Sequence, residues 1–493
     1  MELLAYIAVI IYGIALLLIF FYSLAQLQLL YNYLRSRKKD AAQRLLDITD
    51  HDKVPMVTVQ LPVFNELYVV ERLLDNIALL DYPPNKLEIQ VLDDSTDETV
   101  NLISQKVAGL KAGGLDIVHL HRTNREGFKA GALKEGLKSA KGELIAIFDA
   151  DFLPRPDWLK KTVPYFDDER TGVVQTRWGH LNRNYSILTR IQAFALDAHF
   201  TIEQRGRNAR EHFINFNGTA GIWRRSCILD AGNWEGDTLT EDLDLSYRAQ
   251  FKKWKFRYLE HVETPAELPV MISAARSQQF RWNKGGAENF QKSARRLLTT
   301  AHLPLTTRIH GLIHLLNSSM FLFAFAAAIL SIPVMLAKHY IPALSDWMRL
   351  SGIFMVSTFI LLTCYWFTYK NLQKGGIKGF ISFVPLFITF FAVALGFSLH
   401  NSFAVIEGHL GKKSPFVRTP KFNVNENSGK KIINKYLNKR PSPNTLLECL
   451  LTLYFIGGFI IAWWLKDYAF MGFMAMLGFG FGYVCYNSIT ANS

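Results

Sequence analysis

The chain has 493 residues, 49% of them hydrophobic, and a formal net charge of +13. That length holds a full catalytic domain with room to spare, and the basic excess fits a face against anionic lipid and an anionic substrate rather than nucleic acid. Four cysteines, Cys227, Cys364, Cys449 and Cys485, lie far apart with no paired spacing, which argues against a zinc site or a disulfide framework and for a reducing compartment.

In chain order, residues 3–30 form the first long apolar stretch. It is too long for a signal-peptide core and lacks a small-residue cleavage site, so residues 1–34 read as a retained transmembrane anchor. Arg35, Arg37, Lys38 and Lys39 follow it at once, which puts the next segment in the cytosol by the positive-inside rule. That segment, 35–305, is a polar block. Within it Val57-Thr58-Val59-Gln60-Leu61, Glu88-Ile89-Gln90-Val91-Leu92 and Glu143-Leu144-Ile145-Ala146-Ile147-Phe148 have the length and β-branched content of buried parallel strands, with helical stretches between them. Residues 271–305 read as an interfacial helix.

Further apolar stretches lie near 311–336, 350–369, 380–405, 445–466 and 468–489, and a span needs roughly 20 apolar residues. The loop 406–444 carries Lys412, Lys413, Arg418, Lys421, Lys430, Lys431, Lys435, Lys439 and Arg440, so it too should be cytosolic. Three crossings between the polar block and that loop would place it outside, so one stretch is expected not to cross. The chosen one is 380–405, interrupted by Pro385 and Gly396 and polar at Ser398, His400, Asn401 and Ser402, which fits a re-entrant or interfacial helix. Residues 445–493 then form a transmembrane hairpin, with Gly478, Gly480 and Gly482 as packing glycines.

Acidic groups follow the strand runs. In open α/β sheets ligands sit outside the carboxyl ends of the strands, so Asp93, Asp94, Asp149 and Asp151 are expected on one edge. Asp149-Ala150-Asp151 puts two carboxylates at a turn where both face a hard cation, which would bridge a diphosphate; a solvated turn is the plain alternative. Asp93 and Asp94 suit the hydroxyls of a nucleoside, or simply a turn at a strand end. Lys129 sits among small residues, Gly127 to Leu133, that let a helix start approach phosphate. Thr238-x-x-Glu241 has the form of a capping box, which leaves Asp242 as the general base, ionised at a helix start. Gln278, Arg281 and Trp282 share a helical face: Arg for diphosphate oxygens, Trp as a platform for a sugar ring, or both as an interfacial belt. No G-x-G-x-x-G follows a strand, so a redox dinucleotide site is not supported.

Taken together in this order, these residues resemble the family 2 glycosyltransferases, above all the processive branch with its D, D-x-D, T-E-D and Q-x-x-R-W signatures. The segments Gln90 to Asp97, Gly127 to Gly136, Phe148 to Phe152 and Phe216 to Gly221 look most like the plant cellulose-synthase-like A and C proteins, which make mannan and glucan backbones. The resemblance implies an α/β GT-A (Rossmann-like) cytosolic catalytic domain inserted in an α-helical transmembrane region. It implies a nucleotide-diphosphate sugar donor, UDP-glucose or GDP-mannose, with Mg2+ or Mn2+ on Asp149 and Asp151 and inversion at the anomeric carbon. Donor binding would fall to Asp93, Asp94, Lys129, Asp149 and Asp151, proton abstraction to Asp242, and diphosphate and acceptor binding at a channel mouth to Gln278, Arg281 and Trp282. Phe416-x-Arg418-Thr419-x-Lys421 is similar to the gating-loop pattern F-x-V-T-x-K, with Arg418 in place of Val. The chain stops soon after its last span, so no cyclic-di-GMP-binding domain is expected.

The expectation is a membrane-embedded inverting enzyme of the plasma (inner) membrane that polymerises hexose into a β-linked glucan- or mannan-type polysaccharide and passes it through its own spans, in contact with membrane lipids. The rival readings are transfer of a single sugar to a lipid, as in ceramide glucosyltransferases, and an inactive sugar-binding membrane protein. Phe416, Thr419 and Lys421 and the spans after Trp282 favour the first.

Overall fold

A computed structural model describes residues 2–36, 54–344, 352, 355–426, 434–436 and 444–490. Arg37, Lys38 and Lys39, and Lys430, Lys431, Lys439 and Arg440 of the basic loop, lie outside these. The first helix, α1 (Glu2–Ser36), is followed by β1 (Val57–Val63), α2 (Val70–Ile77), β2 (Leu87–Asp93), α3 (Thr99–Ala112), β3 (Ile117–His121), α4 (Phe128–Ser139) and β4 (Leu144–Ile147). Then come α5 (Trp158–Thr162), β5 (Thr171–His180), α6 (Ile187–Ala198), a π-helical turn His199–Gln204, α7 (Arg205–Asn208), β6 (Gly221–Arg224), α8 (Arg225–Asp230), α9 (Glu241–Phe251) and β7 (Lys255–Ala266).

The three apolar runs are β1, β2 and β4, and they run parallel, Val57 lying opposite both Leu87 and Leu144. The sheet has the order β3-β2-β1-β4-β6-β5-β7. Beyond β4 it becomes mixed, because β6 inserts antiparallel to both β4 and β5, while β5 and β7 pair in parallel. Strands fully buried on both faces are what near-continuous apolar runs produce. One face packs Val59, Leu61, Leu73, Val91 and Phe148, the other Leu133, Ile145, Ile147, Trp223 and Trp234. β2 and β3 lie on one side of β1 and β4 on the other, so the strand order reverses at β1 and the carboxyl ends there flank the crevice where ligands of such sheets bind. The expected GT-A, Rossmann-like class is the one observed.

A single 28-residue helix, α10 (Ile272–Thr299), leads from the domain. It is followed by α11 (Leu305–Leu315), α12 (Met320–Tyr340), α13 (Met355–Leu372), α14 (Gly376–Gly396), α15 (Ser398–His409), α16 (Thr445–Trp464) and α17 (Tyr468–Thr490). Among the described residues five helices are long and apolar enough to cross a membrane: α1, the segment Asn317–Tyr340, α14, α16 and α17. This is a membrane protein.

Two expectations need correction here. The stretch 380–405 is not one element but parts of two helices. Its first part belongs to α14, which is long and apolar enough to span. Its polar part forms α15, where His400 Nε2 meets the Arg276 carbonyl at 3.1 Å and Ser402 Oγ donates to the Phe321 carbonyl at 3.2 Å. Over its described residues α13 is not among the helices long and apolar enough to span, being polar in its last turns at Tyr369, Lys370 and Asn371. The cysteines also differ from expectation: Cys449 and Cys485 form a disulfide between α16 and α17, with Cα atoms 5.7 Å apart. Antiparallel packing of a helical hairpin brings together residues 36 apart in sequence, which linear spacing hides.

α10 is tied to that hairpin by charge. Arg276 Nη2 donates to Glu448 Oε1 and, at 2.7 Å, to Ser488 Oγ, all three residues being buried. Removing one partner of a buried ion pair strands the other. Glu448→Ala should therefore cost about 3–5 kcal/mol, read as a clear drop in melting temperature in detergent, with Glu448→Gln dropping less because it keeps an acceptor. An unchanged melt in Glu448→Ala would mean Arg276 is hydrated.

Candidate active site

The ends of β1, β2 and β4, the start of α9 and one face of α10 surround a cleft of about 1300 Å3, open mouth included. After β4, Phe148 and Ala150 stay in the core, Phe148 edge-on to Trp158 with ring centroids 4.8 Å apart. That alternation turns Asp149 and Asp151 toward the cleft. The Asp149 N–H donates to Thr219 Oγ1 at 2.9 Å, and its Oδ1 accepts from Lys129 Nζ at 2.5 Å. Asp151 is buried; Oδ2 accepts from Lys421 Nζ at 2.7 Å, while Oδ1 has no hydrogen-bond partner.

Lys129 lies in the first turn of α4 and also donates to the Gly218 carbonyl at 2.8 Å. Burial disfavours its charge, but Asp149, Glu241 and Asp242 outweigh burial and raise its pKa. Of the two acids closing β2, only Asp94 lines the cleft. Arg122 grips it with two hydrogen bonds, Nε at 2.7 Å and Nη2 at 2.6 Å. Asp93 faces away, accepting from the Ser95 N–H at 2.8 Å and meeting His119 Nε2 at 2.9 Å. Burial opposes its charge, yet these bonds hold its pKa below the usual carboxylate range.

Glu241 and Asp242 differ from the sequence reading. Thr240 is the N-cap of α9 and makes no side-chain cap bond, so the Thr238–Glu241 capping box does not form. Asn289 of α10 instead donates to Thr240 Oγ1 at 2.9 Å and to the Thr240 carbonyl at 3.2 Å. Glu241 is freed to face the cleft beside Asp242. A helix start favours the carboxylate, but burial and then the neighbouring Glu241 push the Asp242 pKa up to about 7.

The face predicted for α10 exists: Gln278, Arg281 and Trp282 all line the cleft. They can do so because Gly285 lets α10 close on α9; a Cβ there would lie 2.4 Å from Thr240 Oγ1. Trp282 stands 6.5 Å from the ring of Trp178, which packs edge-on to Phe152 at 5.1 Å, forming an aromatic wall. Arg281 Nη2 donates to Thr419 Oγ1 at 2.9 Å, and its guanidinium lies 4.6 Å over the Phe416 ring. Phe416 stacks on Phe128 at 5.6 Å. Phe416, Thr419 and Lys421 thus meet the Asp149–Asp151 pair, Lys129 and Arg281 in one place.

Sequence reasoning missed several residues. Glu267, at the end of β7, accepts from the Phe422 and Val424 N–H groups at 2.7 and 3.1 Å and so anchors the loop; nothing local marks it. Glu66 after β1, Arg125 and Trp178 also line the cleft. Asn217 and Gly218 were visible only as part of a similar segment. One three-carboxylate group with metal-ligand spacing, Glu235, Asp237 and Asp244, occurs among the described residues. Lys292 Nζ already bridges it at 2.7, 2.8 and 3.0 Å, so it is an ion-pair knot apart from Asp149 and Asp151.

A sequence profile described as "Glycosyltransferase like family 2" matches residues 55–285. "Glucomannan 4-beta-mannosyltransferase 2" of Arabidopsis thaliana is 34% identical over 358 residues, covering 69% of this chain and 67% of that one. The chain belongs to the family 2 glycosyltransferases. "Glucomannan 4-beta-mannosyltransferase 9" of the same plant is 36% identical over 65% of this chain, and "Glucomannan 4-beta-mannosyltransferase 1" of Oryza sativa subsp. japonica is 37% identical over 62%. The matched stretches span 63% and 62% of those two relatives, under two thirds of their length. A mannosyltransferase of Pyrobaculum calidifontis, solved in complex with GDP-Man and Mn2+, shares the fold with a TM-score of 0.51 at 22% identity, over 74% of this chain and 99% of that one. The family match holds Asp93 through Trp282 and leaves the loop 406–444 outside it.

Gly218 is a left-handed backbone position that borders Asp242 and Lys129. Its φ is +79°, and an added Cβ would lie 3.2 Å from Asp242 Oδ2 and 3.5 Å from Lys129 Nζ. Gly218→Ala should lose more than about 1 kcal/mol of stability from the backbone alone, visible in thermal denaturation. A wild-type melt would show that the turn relaxes without disturbing Lys129 or Asp242.

Proposed function

We propose that the chain is an inverting hexosyltransferase that draws sugar from a nucleoside-diphosphate donor and extends a β-linked mannan- or glucan-type polysaccharide, passing it through its own spans. The observation that carries this is the meeting of Asp149 and Asp151, Asp242, and Arg281 with Trp282 in one cleft. The names of the plant relatives favour a mannosyl donor, so GDP-mannose is the first to test and UDP-glucose the second. The catalytic domain and loop 406–444 are assigned to the cytosolic face of the plasma (inner) membrane; Lys421 on Asp151 supports a common side for both.

In this reading an acceptor hydroxyl attacks the anomeric carbon, the bond from that carbon to the diphosphate oxygen breaks, and the nucleoside diphosphate leaves with the electron pair. Asp242 takes the hydroxyl proton. Lys129, Arg281 and Lys421 face the departing charge, for which fixed cations in a water-poor cleft are effective. Trp282 and Trp178 give the acceptor sugar a flat apolar surface. Asp94 and Arg125 line the nucleoside end, while Asp93 supports the turn through Ser95 rather than touching the donor.

Asp149 and Asp151 would hold Mg2+ or Mn2+. The donor set is all oxygen, which suits a hard cation, and the buried, unpartnered Oδ1 of Asp151 fits that use. Such an ion supplies neutralisation of charge on the leaving diphosphate.

With an Asp242 pKa near 7, the base is active only when ionised. Turnover should therefore fall as pH drops through about 7 and level off above it. Asp242→Asn should keep donor affinity, lose about 10²–10⁴-fold in turnover, and erase that limb of the pH profile. Retention of the limb would move the proton acceptor elsewhere.

Purified protein incubated with GDP-mannose or UDP-glucose and Mn2+ should yield a long polymer, abolished by EDTA. A product one sugar longer than a lipid acceptor would establish the single-transfer reading, and no turnover of either donor would end the polymerase reading.

A further inference from the structure

Arg418 stands where the resembling loop pattern carries Val, and its surroundings differ from anything a valine could use. Its Nη1 lies 2.8 Å from Glu66 Oε2, and both side chains are 12% exposed. Glu66 belongs to the turn after β1, so this pair joins the loop to the catalytic domain. On its other side the guanidinium lies 4.0 Å over the ring of Tyr436, farther along the same loop. The Tyr436 hydroxyl donates to Asp97, and its ring meets Tyr68 edge-on at 5.9 Å. Lys435 reaches Asp97 at 3.2 Å and pairs with Glu98, while its N–H donates to the Tyr68 hydroxyl at 3.2 Å. Two separate pieces of the loop therefore close on the corners after β1 and β2, with the Arg418 guanidinium between an acid and an aromatic ring.

We propose that Arg418 is a positioning residue that latches the loop over the nucleoside side of the cleft through Glu66 and Tyr436, and so sets Thr419 and Lys421 against the donor diphosphate. The donor half of this statement rests on the glycosyltransferase reading; the latch itself does not. Thr419 and Lys421 lie one and three residues on, within roughly 3.5–11 Å of chain, so pinning Arg418 restricts both. The two clasps are unequal. Lys435 and Glu98 are solvent-exposed, where salt screens a pair and its worth is small. Arg418 and Glu66 are mostly shielded, and a planar guanidinium both pairs with carboxylate and stacks on a ring. The latch contact therefore outweighs the Lys435 clasp.

The test uses the full chain in detergent, with Arg418→Val, Arg418→Lys, Glu66→Gln, the Val/Gln double variant and Lys435→Ala. The first measurement is the rate of tryptic cleavage within 406–444. Arg418→Val and Glu66→Gln should each speed cleavage about tenfold, the scale of a partly shielded ion pair. The double variant should be no faster than the quicker single, Arg418→Lys should be intermediate, and Lys435→Ala should change the rate less than about threefold at physiological salt. The second measurement is donor kinetics with GDP-mannose, where Arg418→Val should raise KM about tenfold with kcat within about threefold, as loss of positioning rather than of chemistry requires. Unchanged cleavage in both single variants, or additive effects in the double, overturns the latch. Faster cleavage with an unchanged KM overturns its role in setting the donor contacts. If the native protein turns over neither GDP-mannose nor UDP-glucose, the donor reading fails and the cleavage rates still decide the latch.

Discussion

Charge compensation in a half-closed cleft is the constraint on which the rest of the structure depends. Asp149, Asp151, Glu241 and Asp242 all face the same small volume, and buried like charges cannot all remain ionised without cations nearby. The cations come from three distant parts of the chain: Lys129 from α4, Arg281 from α10 and Lys421 from the loop after α15. Only a fold that brings all three together can hold the carboxylates as carboxylates. The mixed half of the sheet, the closely packed α10 and the loop across the cleft all serve that end.

The same electrostatics divides labour among the acids. Asp149 and Asp151 have lysine partners. Asp94 has a two-pronged arginine. Asp242 has no direct cation partner at hydrogen-bonding distance among the described residues, lies beside another acid, and is pushed toward neutrality. A carboxyl poised there can exchange a proton near physiological pH, which a strongly paired carboxylate cannot. Under the proposed function, position relative to the lysines, more than position along the helix, separates the proton acceptor from the charge holders.

Much of this was legible in the residues alone. The run before Asp149 is apolar on both faces, and full burial leaves a signature that needs no partner to read, whereas the run before Asp93 alternates, with Glu88 and Gln90 on its second face. Gln278, Arg281 and Trp282 share a face because helical spacing alone puts them there. What stayed hidden depends on tertiary placement. The antiparallel entry of β6 has no pattern of its own in four residues. Glu241 looked like a capping partner because capping chemistry is local, and α10 overrode it by taking Thr240 for Asn289. Glu267 holds two loop amides from across the cleft, and the Cys449–Cys485 bond joins two helices; no linear rule relates such positions. The apolar run near 380 was read as one element because hydropathy does not report the turn at Phe397.

α10 is an uninterrupted helix of 28 residues, about 42 Å long. Near its start, Arg276 is fastened to Glu448 and Ser488 of the C-terminal hairpin. About one and a half to two and a half turns later the same rod carries Arg281, Trp282 and the Gly285 contact with Thr240. A helix with no proline and with both ends packed moves as a stiff lever. Tilting or sliding of the hairpin, such as a change in bilayer thickness imposes, is thus delivered to the cleft as a displacement of the aromatic platform relative to Asp242. The spacing of Trp282 and Asp242 across the cleft is thereby coupled to the surrounding lipid.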